Sequence, residues 1–126
     1  MSREALLPSE ARSYEEFAAA LDRLDKAWES YVRGVRELVE EWEKVKVKLL
    51  ERISKTEGLI EAIRGEVEEL KVEIALGLRS EEESREEVEK LEERRARLED
   101  RLKALRAFLE DIETRVREHR ERVTVH

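Results

Sequence analysis

The sequence has no cysteine, only one proline and four glycines among its 126 residues. The absence of cysteine excludes disulfides and thiolate metal ligands. Because proline and glycine are scarce, the chain has few positions where a helix must break. No apolar run approaches the roughly 18 residues of a membrane span, and the N-terminus lacks the apolar core of a signal peptide. We therefore expect a largely helical, cytoplasmic protein that does not insert into a membrane.

The motifs of common enzyme classes are also missing. The sequence contains no phosphate-binding loop and no nucleophile elbow. Its two histidines lack the neighbouring carboxylates of a metal site, since Val116 stands three residues before His119, where a di-metal helical bundle has glutamate. We expect no catalytic residue, no cofactor, no metal and no small-molecule substrate.

Charged residues are abundant, at 47% of the chain, yet 40% of the residues are hydrophobic and the net charge is −7. High charge combined with regular apolar spacing is typical of coiled coils and long helices, and this hydrophobic content is too high for a disordered chain. The negative charge disfavours nucleic acid and anionic membranes as partners. The many Glu and Arg residues fit a heat-adapted organism.

Apolar residues recur at alternating spacings of three and four along the first part of the chain. They are Tyr14, Phe17, Leu21, Leu24, Trp28, Tyr31, Val35, Leu38, Trp42, Val45 and Leu49. This spacing predicts a helix with one apolar edge that packs against other helices. Between Leu49 and Ile53 the step is four where three is due, which predicts a stutter near residues 49–53.

Local signals predict the helix ends. Ser13 and Glu16 match a capping box, so the first helix is predicted over residues 13–76, after a flexible lead-in of residues 1–12. Gly77 followed by an apolar residue is typical of a helix C-terminus. Ser80 begins a second capping box, so we predict a turn at residues 77–80 and a second helix over 81–123.

The predicted turn implies that the chain folds back on itself as a long antiparallel hairpin. Residues whose numbers add up to about 158 then face each other, and nearly every such pair is apolar, from Leu70 with Val88 to Val35 with Val123. Two alternatives are a turn at residues 54–58, where Ser54 and Glu57 also match a capping box, and one uninterrupted helix.

Two polar residues interrupt the apolar edge of the second helix. Arg95 is predicted opposite Ile63, and His119 opposite Leu38. A single polar residue at such a position commonly sets the register of a coiled coil, and we assign that role to both. The neighbouring basic cluster of residues 94–106 is interleaved with acids, and we interpret it as a solvated face of salt bridges.

The hairpin leaves residues 14 to about 32 without a partner helix in the same chain. We predict that this aromatic segment is a protein interface, formed by Tyr14, Phe17, Leu21, Leu24, Trp28, Tyr31 and, further along, Trp42. Exposed aromatic surface of this size costs several kcal/mol in water, at about 25 cal/mol per Å². The simplest partner is a second copy, giving a homodimer with a local four-helix bundle, and the alternative is a different protein.

We therefore expect an all-α helical hairpin in a single domain over residues 13–126, acting as a non-enzymatic structural or protein-binding module. Scaffolds, spacers and subunits of larger assemblies fit this description. A holdase-like chaperone, which would bind client proteins through the same aromatic surface, is the alternative function.

Overall fold

Two antiparallel helices joined by a short turn make up the computed structural model, which describes residues 7–124. Helix α1 is Pro8–Ala75 and helix α2 is Glu81–Thr124, and the described residues contain no strand. The predicted all-α helical hairpin is confirmed. Neither helix has a stretch apolar enough to cross a membrane within residues 7–124.

Helix α1 begins earlier than the sequence predicted. Pro8 occupies its first turn, and the backbone N–H of Leu7 donates to Glu10 Oε2 over 3.2 Å. Proline suits this position because its φ angle is already helical and the missing N–H would have no helical acceptor. The predicted start at Ser13 is therefore wrong. Residues 8–12 of the expected flexible lead-in are helical, and residues 1–6 lie outside the described part.

The turn between the helices is built by Gly77 and Ser80, as predicted. Gly77 has a φ angle of +76° and its N–H donates to the carbonyl of Ile74, while Leu78 N–H donates to the carbonyl of Glu73. These two bonds form a Schellman motif, which favours glycine at the left-handed position. Ser80 Oγ accepts the N–H of Glu83 at 3.0 Å and caps α2. Both alternative architectures are wrong, because α1 is continuous through residues 54–58 and ends at Ala75.

The face of α1 that contacts α2 follows an unbroken spacing of three and four. Its buried or half-buried members are Val32, Val35, Val39, Trp42, Lys46, Leu49, Ile53, Thr56, Ile60, Ile63, Val67, Leu70 and Ile74. The predicted stutter at residues 49–53 is therefore wrong. Before Leu49 the apolar pattern of the sequence runs through Leu38 and Val45, which are exposed, whereas the face that contacts α2 runs through Val39 and Lys46. The apparent change of register at Leu49 results from this difference.

Two polar side chains of the described residues, Thr56 on α1 and Ser84 on α2, are buried in the hairpin. Thr56 is buried, and its hydroxyl donates to the carbonyl of Arg52 at 2.7 Å within the same helix. Ser84 is also buried, near the turn, and its Oγ has no hydrogen-bond partner in the described part. Apolar side chains of the α1 face that contacts α2, among them Trp42, pack with apolar side chains of α2, among them Leu102 and Val116, into one elongated core between the helices. Burial of these side chains is the main source of stability.

One edge of the hairpin carries ion pairs between the helices. Glu113 lies 3.0 Å from Lys46, Glu57 lies 2.7 Å from Arg106, and Glu99 lies 3.4 Å from Arg64. Most of these side chains are half exposed, so each pair contributes little to stability, typically below about 1 kcal/mol. The pairs link the two helices along this edge.

We expect Gly77→Ala to lower the free energy of unfolding by about 1–2 kcal/mol, because alanine is disfavoured at a positive φ angle. A Cβ at Gly77 meets no atom within 4 Å, so the effect is conformational. Gly65→Ala, inside α1 and equally open, is the matched control and should stabilise the protein by about 0.5–1 kcal/mol. Urea titration of both variants checks this; equal effects would show that the turn conformation is unimportant.

Candidate protein-interaction surface

The two helices differ in length, so the first part of α1 extends beyond the end of α2. Helix α1 has 68 residues and α2 has 44. Near the end of α2, a hydrogen bond joins Tyr31 of α1 to His119. We call residues 8–30 the overhang; at 1.5 Å per residue it is about 35 Å long. The paired remainder, residues 31–124, is the arm.

Five of the predicted interface residues lie on the overhang and are exposed. Phe17 and Leu24 have 69% and 67% of their surface accessible, and Tyr14, Leu21 and Trp28 are between 41% and 54% accessible. Large apolar side chains on a monomeric protein seldom cluster in this exposed way. The structure therefore leaves these side chains accessible to another molecule.

The junction between overhang and arm is an aromatic cluster. The hydroxyl of Tyr31 lies 2.7 Å from Nδ1 of His119, and the ring of Tyr31 lies 5.8 Å from that of Trp28. The predicted pairing of His119 with Leu38 is therefore wrong, and so is the prediction that Tyr31 has no partner within the chain. The hydrogen bond requires both groups to be held in place, which orders the point where the overhang leaves the arm.

Trp42 is not available to another protein, contrary to the prediction. It is 5% accessible because α2 covers it, and its indole N–H donates to Glu113 Oε2 at 2.7 Å. Lys46 Nζ contacts the other carboxylate oxygen at 3.0 Å. The indole hydrogen bond and the lysine both stabilise the charged carboxylate, and they lower the pKa of Glu113 below its ordinary value.

A second exposed column extends the overhang surface onto the arm. Leu38 and Val45 are 45% and 44% accessible, and they continue at intervals of seven residues from Tyr31. We define the exposed stripe as Tyr14, Phe17, Leu21, Leu24, Trp28, Tyr31, Leu38 and Val45. It runs along α1 beside the face that contacts α2, so one helix carries two neighbouring apolar faces.

Arg95 contacts acids on its own helix. Its guanidinium pairs with Glu92 and, at 4.0 Å, with Glu99, while Ile63 on α1 is almost fully buried. The side chain is half-buried at the helix interface, consistent with a stem that lies along the seam and a charged end that reaches outward. The register-setting role of Arg95 and His119 stays a prediction.

Three residues that complete the α2-facing column, Val32, Val39 and Lys46, were not predicted to face α2. A signal for them exists: the register that begins at Ile53 continues backwards through all three at steps of seven. Because Lys46 interrupts this otherwise apolar column, the spacing of apolar residues alone does not reveal it. Glu113 was also missed, because an acid beside an apolar seam resembles an ordinary surface residue until its partners are known.

One groove between the helices, near the end of α2, is lined mainly by valines, whereas the grooves further along the arm are lined mainly by charged side chains. The one beside Ile60 and Leu102 is flanked by Glu57, Arg106 and Glu99, which are engaged in the ion pairs of that edge. Within residues 7–124, no three His, Cys, Asp or Glu side chains converge as metal ligands would. The exposed stripe is therefore the surface of the described chain with the clearest capacity for recognition.

Comparisons with protein-family models, with curated proteins and with solved structures give no significant match to this chain.

We expect Glu113→Gln to lower the free energy of unfolding by about 1 kcal/mol at pH 7, since it removes a charged acceptor that is 39% exposed. The pKa of Glu113 is lowered in the folded state, so its stabilisation is complete above the unfolded pKa and is lost as the pH falls through the folded one. The free energies of unfolding of the wild type and of Glu113→Gln should therefore become equal at acidic pH.

Chemical denaturation between pH 2 and pH 7 measures this difference (a range spanning about 2 units on either side of a carboxyl pKa). Glu110→Gln is the matched control, because Glu110 is an exposed acid on the same helix for which no ion pair occurs in the described chain. A difference between wild type and Glu113→Gln that does not change with pH would contradict the assignment.

Proposed function

We propose that this protein is a non-enzymatic structural or protein-binding module that assembles as a homodimer through the overhang. The observation that carries the proposal is the exposure of Phe17 and Leu24, each about two-thirds accessible on the same helix face. Full burial of one such side chain is worth about 1.5–3 kcal/mol. Several of them together provide enough free energy for a stable interface.

The shape of the arm supports a role as a spacer or scaffold. Residues 31–75 of α1 form a paired rod that is roughly 65 Å long at 1.5 Å per residue. Most of its outer surface is charged, and its two helices pack together around one elongated core. A rigid rod with an adhesive segment at one end suits a protein that sets a distance between other components.

A second candidate function is a client-binding arm with holdase activity. It is favoured by exposed apolar side chains outside the overhang, among them Val47, Leu50 and Phe108. In that case the protein would suppress light scattering by an aggregating client at stoichiometric concentrations. Failure to do so, together with a stable dimer, would favour the structural role.

We expect the pure chain to be a dimer by size-exclusion chromatography with light scattering. Trp28→Ala should weaken dimerisation by more than about 1 kcal/mol, because large aromatic residues dominate interface energies. Val72→Ala is the matched control: Val72 is 55% exposed on α1 near the turn and should leave dimerisation unchanged. A monodisperse monomer at micromolar concentration would defeat the homodimer.

A further inference from the structure

We propose that the two copies pack antiparallel along the exposed stripe, so that the overhang of each lies in the groove between α1 and α2 of the other. This inference rests on the proposed homodimer. It adds the orientation of the two chains, their register and the surface on the arm that receives the overhang.

The exposed stripe is complementary to itself when one copy is reversed. Antiparallel helices pair the residues of one heptad column with those of the neighbouring column. On the overhang, Tyr14, Leu21 and Trp28 recur at intervals of seven and form one column. The next column, at the same interval, consists of Tyr31, Leu38 and Val45. The resulting pairs are Tyr14 with Val45, Leu21 with Leu38, and Trp28 with Tyr31. The twofold axis then passes between residues 28 and 31.

This register covers more apolar surface than registers in which the two copies overlap less. Sliding the copies apart by one heptad leaves Val45 exposed, and sliding them by two also leaves Leu38 exposed. The proposed overlap is long enough to cover every member of the stripe. Stable interfaces typically bury about 800 Å² per partner, so a shorter overlap, which buries less surface, is less favourable.

The flank of the stripe permits close approach without repulsion. The column beside it consists of Ala20, Ala27, Gly34 and Glu41. In the proposed register Ala20 faces Glu41 and Ala27 faces Gly34, so no two like charges meet. The small side chains also allow the two α1 helices to lie near each other.

Helix α2 supplies the other wall of the groove and is basic there. The contact of His119 with Tyr31 shows which face of α2 borders the stripe. Arg115 and Arg122, four residues before and three after His119, flank that face, and Phe108 follows in the same column as Arg115, 51% accessible. A helix that docks in this groove therefore meets an apolar floor and a positively charged wall.

The overhang carries the matching negative column. Glu15, Asp22 and Glu29 recur at intervals of seven on the side of α1 that would face the partner's α2. In the proposed register the overhang runs parallel to that α2, which brings Asp22 near Arg115 and Glu29 near Arg122. Within residues 7–124 no ion pair is formed in the single chain by Asp22, Glu29, Arg115 or Arg122. By contrast, the opposite edge of the arm is already closed by the pairs that Lys46, Glu57 and Arg64 make.

The arrangement differs from a four-helix bundle. Helix α2 ends at Thr124, close to the twofold axis, so the two α2 helices do not run side by side. Each half of the dimer is instead a bundle of three helices, made by one arm and the other copy's overhang. Val35 and Trp42 stay buried against α2 of their own chain, and the exposed stripe beside them packs against the other copy, which accounts for the wide apolar surface of α1.

A charge exchange tests the arrangement. Asp22→Arg and Arg115→Asp should each raise the dimer dissociation constant by about tenfold, because each places like charges together. The double variant should recover the wild-type constant, since the two charges meet again in exchanged positions. Asp22→Arg combined with Arg117→Asp is the matched control and should not recover, because Arg117 lies on the other side of α2, beside Lys46 and Glu113.

Cross-linking tests the register directly, because the chain has no native cysteine. A mixture of Ala20→Cys and Glu41→Cys should give a heterodimer with a short bifunctional maleimide. A register shorter by one heptad would instead link Ala27→Cys to itself, and one shorter by two would link Ala20→Cys to Ala27→Cys. A parallel dimer would link Ala20→Cys to itself.

These outcomes separate the two proposals. Linkage of residue 20 to residue 41 together with recovery in the charge exchange supports the arrangement. Any other linkage, or a dimer in which the exchange does not recover, overturns the arrangement and leaves the homodimer standing. A chain that is monomeric throughout overturns both. Circular dichroism of each variant verifies that the hairpin is folded.

Discussion

The hairpin depends on one constraint, the unbroken spacing of three and four between the α1 residues that face α2, from Val32 to Ile74. This spacing keeps one narrow face of α1 directed at its neighbour over the whole arm. The Schellman turn at Gly77 reverses the chain, and burial of the seam stabilises the pairing that results. The ion pairs at the edge contribute little free energy, because their side chains are half exposed.

The difference in length between the helices follows from the position of that turn. Because the turn lies beyond the middle of the chain, α1 is longer than α2 by 24 residues, 68 against 44. The excess cannot be covered by α2, so apolar side chains such as Phe17 and Leu24 remain accessible. The proposed assembly would bury the second apolar face of α1, since within residues 7–124 α2 covers only the first.

Much of the fold could be predicted because its signals are local. Gly77 and Ser80 mark the turn through backbone conformation and capping, which depend on a few adjacent residues. The start of α1 was wrong because two capping signals compete there, and the one at Pro8 prevailed over that at Ser13. The stutter was wrong because two apolar columns overlap before Leu49, and spacing alone does not show which of them faces α2.

The sequence by itself determined that the chain is helical, where it reverses, and that residues 14–28 carry large apolar side chains along one side of α1. Only the tertiary structure decided how the two columns are divided: Trp42 is covered by α2 and bound to Glu113, whereas Leu38 and Val45 stay accessible. The physical reason is rotation about the helix axis. Neighbouring columns of a heptad differ by about 50°, and the position of α2 around α1 is set by packing along the whole arm, which no local pattern encodes.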